Sequence, residues 1–64
     1  VGVPPHRYLL KRRIEHAREL LRNPTLSLLE IALACGFSDQ SHFTKEFRRI
    51  MGETPRSYRR RHRH

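Results

Sequence analysis

The chain has 64 residues, with 14 Lys and Arg against 6 Asp and Glu, a net charge of +8 and an isoelectric point of about 11.3. A chain this short buries only about 60% of the surface its unfolded form exposes, and its single cysteine, Cys35, excludes both an intrachain disulfide and a cysteine-rich zinc site. No apolar run approaches the roughly 20 residues of a membrane span.

An unpaired cysteine points to a reducing, cytoplasmic setting. The opening Val1-Gly2-Val3-Pro4-Pro5 has neither the charged leader nor the apolar stretch of a signal peptide. Without an initial Met, the chain reads as a fragment or a processed product.

In chain order, the first element is a helix over about 4–22. Leu10, Ile14, Ala17 and Leu21 fall on one stripe of period 3.6, broadened by Leu20. Pro4 and Pro5 suit a first turn, where a missing N–H costs nothing. Glu15 is spaced to meet Lys11 and Arg18 across single turns. Asn23-Pro24 stops the helix.

The second helix, about 28–35, opens on the capping box Ser27-Leu28-Leu29-Glu30. Leu28, Ile31, Ala32 and Cys35 line one face, which makes Cys35 a buried structural thiol. Gly36 is a left-handed terminator. After Phe37, Ser38 is the expected N-cap of a third helix over about 39–51, with Asp39 favouring its positive end. Phe43, Phe47 and Ile50 form the buried stripe, and Gly52 closes the helix. Thr54-Pro55 starts a short fourth helix, about 55–61, running into the basic tail 59–64. Ser27 to Tyr58 forms one unit.

A short internal repeat accompanies this pattern. Gly, Pro and Tyr recur fifty residues apart at 2/52, 5/55 and 8/58. The spacing G-x-x-P-x-x-Y closes one helix, opens the next and places a Tyr one turn in. Residues 1–3 then read as the remnant of a first reading unit, with helix 4–22 as a connector to the second.

A capped helix, a glycine turn and a helix with an apolar stripe form a helix-turn-helix, which makes the fold class all-α, a homeodomain-like domain of three to four helices. Ala32, Gly36, Phe43 and Phe47 are its structural core. Ser41, Thr44, Lys45 and Arg48 point away from the two phenylalanines at ~100° per residue, and Gln40 lies in the first turn. Gln suits adenine, Lys guanine, and the Thr methyl thymine. A polar face can also be merely solvated, but here a turn, a small crossing residue and excess positive charge accompany it.

The run Glu30-Ile31-Ala32-Leu33-Ala34-Cys35-Gly36-Phe37-Ser38-Asp39-Gln40-Ser41-His42-Phe43-Thr44-Lys45-Glu46-Phe47-Arg48-Arg49 resembles the signature of the AraC/XylS family of bacterial regulators. Met51 to Arg59 is similar to the end of that signature, and Pro5-His6-Arg7-Tyr8-Leu9-Leu10 with the connector also resembles the family. The resemblance implies sequence-specific binding of double-stranded DNA in transcription control. It further implies two helix-turn-helix motifs joined by one helix, the chain holding the second, and a sensing or dimerisation domain elsewhere. Base-reading roles carry over to Gln40, Ser41, Thr44 and Lys45. Phosphate roles carry over to Ser38, His42, Arg48 and Arg49. RNA polymerase is a further expected partner, through the exposed side of the second helix or the connector, and the setting is the bacterial cytoplasm at the nucleoid.

The competing reading is a cationic amphipathic binder of RNA or anionic membrane without sequence preference. Against it, no tryptophan is present, and a capped turn would serve no purpose there. The tail Arg59-Arg60-Arg61-His62-Arg63-His64 reads as a solvated end or a source of non-specific phosphate attraction. His62 and His64 lack acidic or cysteine partners for a metal, and His6 and His16 belong to the connector's polar face. No cofactor is implied. Catalysis finds no nucleophile–base set, phosphate loop or paired carboxylates, so no enzyme is expected.

Overall fold

Helix ends are decided by which side chains satisfy backbone groups that have no partner within the helix. The computed structural model describes residues 5–62, with side chains from Tyr8 onward. The expected remnant at 1–3, Pro4, the side chain of His6, and His64 lie outside the described residues. Four helices are present and, among the described residues, no strand: α1 (Pro5–Leu20), α2 (Leu28–Ala34), α3 (Gln40–Met51) and α4 (Pro55–Arg61).

The capping box opens α2: Ser27 Oγ accepts from the Glu30 N–H at 3.0 Å, and Glu30 Oε1 accepts from the Ser27 N–H at 2.8 Å. Its closure is a Schellman arrangement. The Phe37 N–H donates to the Ala32 carbonyl at 3.0 Å and the Gly36 N–H to that of Leu33 at 3.1 Å. This needs a left-handed residue, and Gly36 has φ +92°. An added β-carbon there would also meet the Arg13 guanidinium at 3.1 Å.

The start of α3 corrects one expectation. The N-cap is Asp39, not Ser38: Asp39 Oδ1 accepts from the His42 N–H at 2.7 Å. An Asp three residues before an unpaired N–H adds a charge-assisted bond at the positive helix end, which a neutral serine one position earlier cannot match. Gly52, at φ +82°, closes α3, and Thr54 caps α4 through the Ser57 N–H at 3.1 Å.

The core is built from one stripe of each helix. Leu10, Ile14, Ala17 and Leu21 of α1 and its end meet Ile31, Ala32 and Cys35, then Phe43 and Phe47. Ala32, Phe43 and Phe47 are fully buried. Four aromatic rings run through this core in sequence. Phe37 meets Phe43 with centroids 5.4 Å apart, Phe43 meets Phe47 at 5.8 Å, and Phe47 meets Tyr58 at 5.8 Å. Such tilted and edge contacts add to simple area burial. Glu15, by contrast, pairs with neither Lys11 nor Arg18 among the described residues, because an exposed pair gains little for the side-chain freedom it loses.

The basic tail is not a loose end as far as His62. Arg59 reaches back across more than thirty residues to the loop between α1 and α2. Its Nε donates to the Leu21 carbonyl at 3.2 Å, and one terminal nitrogen donates to those of Asn23 at 3.2 Å and Leu26 at 2.6 Å. A guanidinium carries enough fixed donors for three acceptors, and the carbonyls it serves lie beyond the end of α1, where no helix ladder continues. Arg61 pairs with Glu53, and the His62 ring stacks on Tyr58 at 4.2 Å.

Candidate nucleic-acid interface

On α3, burial of Phe43 and Phe47 fixes the orientation of every other side chain. At ~100° per residue, Ser41 and Lys45 stand opposite the buried stripe. Gln40, Ser41, Thr44, Lys45 and Arg48 gather on one flank, where with Thr54 they line a shallow open depression. All are exposed except Thr44 and Thr54, which are half-buried. All four expected base readers are therefore brought together, with Arg48 beside them. Thr54 was not anticipated; its hydroxyl caps α4, which brings it to the rim.

The other flank is occupied differently. Ser38 is exposed in the turn, away from the depression. The His42 ring packs edge-on against Phe37 at 5.4 Å, and its Nε2 lies 3.9 Å from Glu46 Oε2. Glu46 Oε1 accepts from Arg49 Nε at 3.0 Å and from a terminal Arg49 nitrogen at 2.7 Å. The Glu46 side chain is only 17% exposed, while that of Arg49 is 59% exposed. Among the described residues, the hydrogen bonds and ion pairs of α3 side chains thus fall on this flank, and the depression's donors stay unengaged. The expected phosphate residues are split: Arg48 joins the readers, while His42 and Arg49 face the Glu46 carboxylate.

Two neighbouring groups complete the surroundings. Burial pushes the Cys35 thiol above its ordinary range, so it stays protonated; its sulfur lies 3.8 Å from His16 Nδ1. Hydrogen bonds from the Ser27 backbone and hydroxyl hold Glu30 below the usual carboxylate range. On α2, Leu29 and Leu33 are exposed one turn apart. Among the described residues, no helix is long and apolar enough to cross a membrane.

The comparisons with known proteins bear directly on this surface. A family model described as a helix-turn-helix domain matches residues 1–61. The chain belongs to the AraC/XylS family of helix-turn-helix regulators. It is similar to the transcriptional activator RhaS of Escherichia coli, 48% identical over 58 residues, which cover 91% of this chain and 21% of RhaS. It is also similar to the transcriptional regulator ExsA of Pseudomonas aeruginosa, 46% identical over 54 residues, covering 84% of this chain and 19% of ExsA. Among solved structures, the C-terminal domain of the two-component response regulator yesN from Fusobacterium nucleatum superposes with a TM-score of 0.86. The two are 40% identical over 91% of this chain and 56% of that one. The chain spans about a fifth of the length of the curated relatives it matches. The family is one of transcriptional regulators, not of enzymes.

Proposed function

We propose that the chain reads duplex DNA in a sequence-dependent way, in the service of transcription control, with α3 seated in the major groove. The observation that carries this reading is the flank of α3 turned from the core, where Gln40, Ser41, Thr44, Lys45 and Arg48 present unengaged donors together. Gln40, Ser41, Thr44 and Lys45 are assigned to base edges, with the first turn leading as is usual for recognition helices. Ser38, His42, Arg48 and Arg49 are assigned to phosphates, which fix register without reading sequence. The regulator would act at the bacterial nucleoid, alongside a sensing or dimerisation domain of the kind that the relatives' greater length leaves room for.

The test is selection of duplexes by the 64-residue chain from a random pool, followed by titration of the enriched duplex and a scrambled one. Enrichment of one motif and a log–log salt slope near −4.5, for about five neutralised phosphates, is the expected result. Equal affinity for both duplexes removes the sequence-dependent reading, and tighter binding to anionic vesicles than to either duplex replaces it with the amphipathic one.

A contact with RNA polymerase is the second part of the proposal, favoured by the exposed Leu29 and Leu33 on α2. Substituting both with Ser should lower transcription from a bound promoter in vitro while leaving DNA affinity unchanged.

A further inference from the structure

Arg49 and Arg48 are adjacent arginines on one helix, yet they stand in different electrostatic settings. Arg48 lines the open depression with the base readers. Arg49 gives two of its donors to Glu46 on its own helix, at 2.7 and 3.0 Å. Glu46 is the only acidic residue within α3, the other nearby acid, Asp39, being its N-cap. Its side chain is four-fifths covered, and its carboxylate is also approached by His42. It stands on the flank next to the surface assigned to the DNA, where a negative charge works against phosphate.

We propose that Glu46 is a specificity-determining residue for DNA binding: its carboxylate holds Arg49 back from phosphates until close docking at a matched site brings a phosphate near enough to displace it. This rests on the DNA-reading function proposed above. On random sequence the protein is held at longer range by charge alone, and Arg49 stays on Glu46. On a matched site the recognition helix seats fully, and a fixed phosphate competes with the carboxylate for the same guanidinium donors. A residue that touches no base then contributes to discrimination. The size of the effect is bounded by the ion pair itself. Exposed pairs of this kind shift an equilibrium by at most about fivefold, and one added phosphate contact steepens the salt slope by about 0.9.

The experiment compares the 64-residue chain with Glu46→Gln, Arg49→Gln and the double variant, each titrated against the duplex enriched from a random pool and a scrambled duplex. Glu46→Gln is expected to tighten binding to the scrambled duplex by about two- to fivefold and to steepen its salt slope by about 0.9. The enriched duplex should gain less, so that the ratio between the two falls. Arg49→Gln should weaken the enriched duplex more than the scrambled one, which loses only the general attraction of one charge, and the double variant should lose the gain made by Glu46→Gln. Circular dichroism melting of each variant separates these shifts from loss of fold. If Arg49→Gln weakens both duplexes equally, or Glu46→Gln leaves their ratio unchanged, Glu46 does not withhold Arg49, and the reading of DNA by α3 stands without it. If the unaltered chain binds both duplexes alike, the DNA-reading proposal itself falls, and this one with it.

Discussion

The molecule has two arginine-rich regions that composition alone cannot tell apart: the flank of α3 and the end of α4. In α4, Arg59 is engaged by three carbonyls of the loop between α1 and α2, and Arg61 by Glu53. On α3, Lys45 and Arg48 sit in an open depression with other unengaged donors. A net charge of +8 therefore overstates the cationic surface free to attract a polyanion. Whether a guanidinium meets a carbonyl inside the protein or a phosphate outside depends on which acceptors the fold leaves beside it.

The contrast is broken most severely by removing what both regions share. Phe47 joins α3 to α4 through Tyr58, and Phe47→Ala should cost about 3–5 kcal/mol. In a domain this small that is most of the stability, so calorimetry should show no cooperative transition and DNA binding should vanish with it. Next comes Arg59→Ala, which removes three hydrogen bonds, two of them to the part-buried carbonyls of Leu21 and Leu26, and should cost about 2 kcal/mol. The melting temperature falls, while the salt slope of DNA binding, measured where the variant is still folded, stays as it was. An unchanged melting temperature with a shallower slope would make Arg59 a phosphate contact and erase the distinction between the regions.

Lys45→Ala is the mirror experiment. It should weaken the selected duplex by about 1–2 kcal/mol with the melting temperature unmoved. The smallest effect concerns acid stability. The hydrogen bond from Arg61 holds Glu53 below the usual carboxylate range, outweighing the opposing desolvation, with Ser57 adding to it. A carboxyl depressed in the fold contributes stability that is present above its unfolded value, about 4.3, and is lost as pH falls through the folded value. Glu53→Gln should thus flatten the unfolding profile below about pH 4.3 and leave that profile's shape at neutral pH alone.

How far these properties were legible in the sequence depends on how far apart the partners lie. The all-α fold and the helix-turn-helix were readable, because a capping box, a glycine after Cys35 and the Phe43–Phe47 stripe act over three to seven residues. The gathering of Gln40, Ser41, Thr44 and Lys45 followed from the same period. The N-cap of α3 was misplaced by one residue, since Ser38 and Asp39 are both good caps and only geometry chooses between them. Arg59 was hidden altogether: its acceptors are backbone carbonyls 33 to 38 residues away, and no pattern of residue types announces them. Glu46 was overlooked for the opposite reason. Its spacing to Arg49 was in plain view, but a pairing three residues apart is common, and Glu15 shows that such spacing need not produce one.

The left-handed Gly36 has a mechanical consequence. As the pivot between two rods, it sets the direction in which the second one leaves the first. With 12 residues in α3, that rod is about 18 Å long. A swing of about 10° at the pivot would carry its far end sideways by about 3 Å, close to the spacing between successive base pairs. A bulkier residue at position 36 would therefore be an aiming error as well as a loss of stability, shifting where the far end of α3 with Arg48 falls while leaving Gln40, close to the pivot, almost where it was.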